Sequence, residues 1–200
     1  MIALFRYLRT IHPISNELRD YMEETLKEKH LAKKDFLLKA GQVCSNIYFV
    51  ERGILRSYYF KGDKEITSVI TKENEICVSA TSFFSLQYGA ENIQAIEDCT
   101  LYFLTHEDYQ RLNTQFPEFN ALCRILLEKC YSAREQRLME FWMQPSHDRY
   151  YWLFHQSPEL FQRVPAKYIA SYLGITETML SKIKSDIVNA SRNKKGGIGP

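Results

Sequence analysis

The segment Pro165-Ala-Lys-Tyr-Ile-Ala-Ser-Tyr-Leu-Gly-Ile-Thr-Glu-Thr-Met-Leu-Ser-Lys-Ile-Lys184 holds the densest set of side chains with recognition chemistry to offer. If a helix begins at Thr176, then Glu177, Thr178, Ser181, Lys182 and Lys184 fall on its outward side. A carboxylate, two hydroxyls and two ammonium groups so arranged suit the base edges and phosphates of a duplex major groove. Lys167, near the start of the preceding helix, is placed to meet a further phosphate. A merely solvated helix face would carry the same residue types, which makes the framework around them decisive.

That framework is constrained at nearly every position. Two helices that cross steeply need a small residue at the contact, and Ala170 supplies it. The tight turn between them needs a residue that accepts left-handed φ, and Gly174 supplies it four positions later. Ile169, Leu173, Ile175, Leu180 and Ile183 fall where such a pair must bury apolar side chains. Thr176 is placed to cap the second helix, and Pro165 to open the first. The pattern predicts a helix-turn-helix; an αα-corner that never meets DNA is the alternative.

Charge is distributed to match. From Pro165 to Pro200 six Lys and Arg (Lys167, Lys182, Lys184, Arg192, Lys194, Lys195) stand against Glu177 and Asp186, within a chain of net charge only +2. A basic end on a slightly acidic body is a mild nucleic-acid signal. Asn189 to Pro200 reads as a flexible basic tail.

Other chemistries find little support. The sequence contains no nucleophile elbow, P-loop, His-Glu-x-x-His motif or paired carboxylates in a plausible pocket, so an enzyme is not expected. Cys44, Cys77, Cys99, Cys123 and Cys130 are odd in number and form no CxxC, which argues against disulfides, zinc and iron–sulfur ligation. Reduced, mostly buried thiols are expected, with neither metal nor cofactor. His12, His30, His106, His147 and His155 read as ordinary surface or core residues. No apolar run reaches the roughly 18 residues of a membrane span. Arg6 and Arg9 interrupt the opening run, unlike a secretory signal, and a cytoplasmic protein is expected.

Stepping along the chain, Ser15 to Leu31 reads as a helix, with Leu18, Tyr21, Met22 and Leu26 at helical spacing. Short β-rich runs follow from Lys34 to Leu104: 36–38, 47–50, 54–60, 66–70, 93–96 and 101–104. Gly41, Gly53 and Gly62 sit where tight turns between them need positive φ. Such runs predict an antiparallel sandwich or roll. Cys77 to Tyr88 breaks the pattern as a short helix or loop, with Phe83, Phe84 and Leu86 expected inward. Thr105 opens a helix with Asp108 at the capping-box position. Pro117 opens a longer one running to about Met143. It carries two apolar stripes: Phe119, Leu122/Cys123, Leu126, Cys130 and Ala133 on one side, and Leu127, Tyr131, Leu138 and Phe141/Trp142 on the other. Two stripes suit a helix that packs on its own domain and on a partner copy; Leu126 is the expected contact with the copy. Burial of both sides within one chain is the alternative. Residues 148–163 read as helical and aromatic.

In this order the elements resemble the Crp/Fnr family, the catabolite activator proteins and their relatives. Three runs carry the resemblance. Asn46-Ile-Tyr-Phe-Val-Glu-Arg-Gly-Ile-Leu-Arg56 resembles the family's strand–turn–strand, and Asn92-Ile-Gln-Ala-Ile-Glu-Asp-Cys-Thr-Leu-Tyr102 its strand leaving the ligand pocket. Tyr168-Ile-Ala-Ser-Tyr-Leu-Gly-Ile-Thr176 resembles its DNA-reading motif. The resemblance implies an α+β fold: an antiparallel β-roll sensor over 1–115, a dimerisation helix over 116–144 and a helix-turn-helix domain with basic tail over 145–200. It implies a homodimer on two half-sites of double-stranded DNA, with a small-molecule effector and RNA polymerase as further partners.

Departures qualify the inheritance. Cyclic-AMP-binding members carry a Phe-Gly-Glu turn and an Arg-Ser or Arg-Thr clamp, because a buried phosphate needs a cation and N–H donors. Here the turn is Glu73-Asn74-Glu75; Glu75 is kept, and Asn74 stands in place of glycine. Gly89 stands about where the arginine would be, and Glu91 adds negative charge. Glu75 and Gly89 therefore mark a degenerate pocket, and cyclic AMP is not expected to bind. No cysteine precedes Cys44, unlike the family's iron–sulfur oxygen sensors. In the recognition helix, Lys182 replaces the family's arginine, and the wing that usually follows is short or missing. The competing reading is a sensor or adaptor that kept the roll but binds a protein partner in place of DNA.

Overall fold

In the computed structural model, the backbone is described for residues 1–195 and side chains for residues 1–186. The chain divides into two compact units, Met1–Ala133 and Arg134–Pro200.

The first unit opens with two helices, α1 (Ile2–Ile11) and α2 (Asn16–Thr25), the second capped by the Ser15 hydroxyl accepting from Leu18 N–H at 3.0 Å. Eight strands follow: β1 (Lys27–Leu31), β2 (Phe36–Leu38), β3 (Asn46–Arg52), β4 (Leu55–Lys61), β5 (Lys64–Thr71), β6 (Ile76–Cys77), β7 (Asn92–Ala95) and β8 (Cys99–Thr105). Helix α3 (Ala80–Ser85) interrupts them between β6 and β7. They form two antiparallel four-stranded sheets, ordered β1-β8-β3-β6 and β2-β7-β4-β5. Side-chain alternation on β3 explains the layering. Tyr48 and Val50 enter the core of the roll with Leu55, Phe83, Ile93 and Leu101. Phe49 points the other way, to a second core built by Leu4 and Leu8 of α1, Leu18 and Met22 of α2, and Leu104. The same second core takes in Leu112 of α4 (His106–Gln115) and Phe119 and Leu122 of α5 (Pro117–Met143). Each fully buried Leu or Phe contributes about 1.5–3 kcal/mol relative to exposure.

Most sequence expectations hold here, including the α+β class, the antiparallel roll and the positive φ of Gly41, Gly53 and Gly62. The Thr105–Asp108 capping box is present on both sides. Helix α5 has its expected limits.

Four features differ from the expectations or add to them. The predicted helix Ser15–Leu31 stops at Thr25; Leu26 turns extended, and Lys27–Leu31 becomes the edge strand β1 on β8. The charges that read as a helix's polar face instead keep an exposed sheet edge from pairing with other chains. Second, α1 is a helix of its own, whose Leu4, Phe5 and Leu8 are buried. Third, only Phe83 of its trio points inward: Phe84 and Leu86 are 46% and 45% exposed, because a six-residue helix has only one buried side. Fourth, the inward stripe of α5 ends at Leu126, which packs on the helical core; Cys130 and Ala133 are exposed. The outward surface is Leu127, Tyr131, Leu138 and Trp142.

The second unit takes in residues 134–143 of α5, followed by α6 (Ser146–Gln156), α7 (Leu160–Arg163), α8 (Ala166–Leu173) and α9 (Glu177–Lys195). Among its described residues, the buried apolar side chains are Tyr150, Leu153, Leu160, Val164, Ile169, Ala170, Leu173, Leu180 and Ile183. Helix α9 continues through Lys195, so residues 189–195 of the predicted flexible tail are helical and no wing strand follows among the described residues. The side chains of Arg192, Lys194 and Lys195 lie outside the described set. Among the described residues no helix is long and apolar enough to cross a membrane.

Candidate nucleic-acid interface

The turn between α8 and α9 is built as the sequence demands. Gly174 lies at φ 67° in the left-handed region. Its N–H donates to the Ser171 carbonyl at 3.1 Å, and Ile175 N–H reaches the Ala170 carbonyl at 3.0 Å. This paired C-cap satisfies carbonyls that the helix end would otherwise leave open. Ala170 is 2% exposed, so a larger residue there would have to displace its neighbours. Thr176 then starts α9: its hydroxyl accepts from Met179 N–H at 3.2 Å and its carbonyl from Leu180 N–H at 3.0 Å. One turn thus ends one helix and begins the next within three residues, Gly174 to Thr176.

Leu180 and Ile183 anchor α9, being 1% and 4% exposed. Glu177, Thr178, Ser181 and Lys182 all stand exposed on its free side, as expected. Lys167 is exposed on α8, its Nζ 4.8 Å from the Tyr168 ring. Lys184 departs from expectation. It is half-buried, with Nζ 5.5 Å from the Phe161 ring centroid. Four residues beyond Leu180, it returns to the buried side of the helix. The structure therefore brings together four of the side chains expected to meet DNA and sets Lys184 apart.

Two arginines hold this head to the end of α5, and sequence reasoning missed both. The Arg149 guanidinium donates to the carbonyls of Leu173 at 3.0 Å, Gln144 at 2.8 Å and Phe141 at 3.2 Å. Arg137 lies over the Tyr172 ring at 3.4 Å and donates to the Tyr172 carbonyl at 3.0 Å. Burial pulls the Arg137 pKa below its usual value. Donation into carbonyls at a helix C-terminus is favourable for a cation, since those groups lack helical partners. The only sequence signal was an arginine among aromatic residues, which many surfaces share.

In the roll, the two pocket markers are occupied by internal bonds. Asn74 takes φ 65°, a conformation that asparagine tolerates in place of the expected glycine. Glu75 accepts from Lys72 N–H at 3.0 Å, within its own turn. Gly89 is pinned to the neighbouring loop: its N–H donates to the Gln42 carbonyl at 3.1 Å, and its carbonyl accepts from Gly41 N–H at 2.7 Å. A Cβ at Gly89 would lie 3.2 Å from Ser82 Cβ, so a side chain there would crowd Ser82. Glu91 is 6% exposed and accepts from the Ser68 hydroxyl at 3.4 Å. A buried carboxylate beside this loop repels a phosphate.

The comparisons agree with this geometry. Residues 28–115 match the family described as the cyclic nucleotide-binding domain. No curated protein matches the sequence. A CooA variant from Carboxydothermus hydrogenoformans is similar at 20% identity and TM-score 0.66, over 94% of this chain and 84% of that one. The c-di-GMP-responsive global regulator CLP of Xanthomonas campestris is similar at 12% identity and TM-score 0.70, over 88% and 93%. A transcriptional regulator of the Crp/Fnr family from Eubacterium rectale is similar at 16% identity and TM-score 0.65, over 85% and 82%. The chain is thus a roll of the cyclic nucleotide-binding type carrying a helix-turn-helix unit. Its fold is that of the Crp/Fnr family of regulators.

Proposed function

We propose that this protein is a cytoplasmic, non-enzymatic transcription regulator that binds double-stranded DNA through α8 and α9. The observation that carries the reading is the Gly174–Thr176 turn, which leaves Glu177, Thr178, Ser181 and Lys182 exposed on one side of α9. A homodimer is the reading of the exposed apolar side of α5, where Leu127 is 48% and Leu138 45% exposed. Two heads in successive major grooves would meet half-sites about 34 Å apart. Lys167 supplies a phosphate contact, and Lys182 is placed to read a base edge. The effector of the roll, where one acts, is not cyclic AMP: buried Glu91 and the pinned Gly89 loop leave no clamp for a phosphate.

Selection of bound duplexes from a random pool, with and without cyclic AMP, tests this. A palindromic motif in the ligand-free arm is expected. A motif that needs cyclic AMP would overturn the reading of the Gly89 loop. Absence of any motif in both arms, with no salt-dependent duplex binding, would overturn DNA binding in favour of a protein partner.

A further inference from the structure

Helix α8 ends on the carbonyls of Ala170, Ser171, Tyr172 and Leu173, for which the helix itself supplies no donor. The turn serves two of them: Gly174 N–H meets Ser171, and Ile175 N–H meets Ala170. The other two are met by arginines from two different helices, Tyr172 by Arg137 of α5 and Leu173 by Arg149 of α6. Arg149 also binds the carbonyls of Phe141 and Gln144, so it fastens the very end of α5 to the turn. Arg137 fastens the same helix about 10 Å further back along its axis from Gln144. One point of attachment leaves a helix free to pivot, whereas two points along its axis fix its angle.

Arg137 is committed to that second attachment. Residues 127–136 of α5 are all exposed, and Arg137 is the first beyond them to be half-buried. Among the described residues it forms no ion pair. Its guanidinium carbon lies 3.4 Å from the centroid of the Tyr172 ring, while the group donates to that residue's carbonyl at 3.0 Å. Burying a cation away from any carboxylate costs free energy, and what it meets here is a carbonyl and an aromatic face that both belong to α8. We infer that Arg137 is a positioning residue that fixes the angle between α5 and the helix-turn-helix, and so sets the separation of half-sites that a homodimer accepts. The inference rests on the DNA-binding and homodimer readings above. It adds the group that converts the direction of the dimer helix into a distance on the duplex. Arg137 acts through Tyr172 and the turn that follows, without touching DNA.

A residue that merely stabilised the head would change affinity for all operators alike. Full-length wild type, Arg137→Ala and Arg137→Met are therefore compared on two kinds of duplex. One set carries two copies of the half-site selected by the wild type, their separation varied base pair by base pair; the other carries a single half-site. Methionine keeps a flexible apolar chain over Tyr172 and donates nothing, which guards against collapse of the site in Arg137→Ala. The wild type is expected to prefer one separation. Both variants are expected to bind the single half-site as the wild type does. At the preferred separation they should lose about tenfold in affinity, and they should accept separations about one or two base pairs away nearly as well, because the heads are no longer preorganised. An unchanged, sharp preference in both variants would overturn the inference while leaving DNA binding in place. Loss of single half-site binding in both would overturn it too, by making Arg137 part of the head's own fold. A wild type that binds no motif would remove the DNA-binding reading, and one that binds a single half-site as tightly as a pair would remove the homodimer; either result takes the inference with it.

Discussion

Replacing Gly174 with valine tests the turn on which the whole head depends. At φ 67° a residue with a branched Cβ sits in the left-handed region, at a cost of about 1–2 kcal/mol. Space adds a second cost. A Cβ there would stand 2.9 Å from Phe141 Cζ and closer still to Cε2, so the ring must move. That ring lies against Arg149, 5.1 Å from its guanidinium carbon, and is 45% exposed, so it can make room only by leaving the guanidinium. Overpacking of this kind costs about 1–3 kcal/mol. Together the two effects reach roughly 2–5 kcal/mol, against the ~5–15 kcal/mol that holds a typical domain. Calorimetry should show the transition of the helical head lowered by about 4–8 °C per kcal/mol, with that of the roll unchanged. Operator affinity, measured by fluorescence anisotropy, should fall with it. Gly174→Ala combined with Phe141→Ala should recover the overlap cost but not the conformational one, giving a coupling of about 1–2 kcal/mol in the double-mutant cycle. Wild-type melting and wild-type affinity in Gly174→Val would refute this account of the turn, and strict additivity in the cycle would refute the role of Phe141.

Lys182→Ala should weaken operator binding by about 1–3 kcal/mol if its ammonium reads a guanine, with the base preference relaxed at one position; unchanged affinity and preference would remove it from the interface. Leu127→Asp should give monomers in sedimentation, whereas Leu126→Asp should destabilise the first unit, since Leu126 packs on its helical core. A stable Leu127→Asp dimer would place the interface elsewhere. With iodoacetamide at pH 8, mass spectrometry should find exposed Cys130 alkylated first. Burial pushes Cys77 and Cys123 up to about 12 and Cys99 up to about 11, and raises Cys44 as well, so these thiols stay protonated and covered. Rapid modification of two or more of them in the folded protein would contradict this burial.

The helix-turn-helix was readable because its signals are local. Ala170, Gly174 and Thr176 each answer a constraint set by residues within a few positions, and the caps at Gly174 and Thr176 form from the backbone beside them. The limits of α5 were readable for the same reason, with proline at its start and another just past its end. The pairing of β1 with β8 was not, because Lys27↔Phe103 joins segments far apart in sequence while the charges of β1 fit a helix equally well. The side assigned to Leu126 depended on which core claimed α5, a tertiary matter. Lys184 was misjudged because a lysine reads as outward wherever it falls, although its stem can lie along a ring such as Phe161. Arg137 and Arg149 act through backbone carbonyls, and a carbonyl partner leaves no mark in the sequence.

Strand β3 is a party wall. Tyr48 and Val50 furnish one room and Phe49 the other, so neither side can be vacated without stripping the shared partition. Removal of α1 and α2 would bare Phe49 and Leu104 to water, and the roll behind them would lose the backing of its central strand. The first unit should consequently unfold in a single step, with amide exchange in α2 and β3 slowed to the same degree. Insertions and fusions belong at the Gly62 hairpin, where both rooms remain closed.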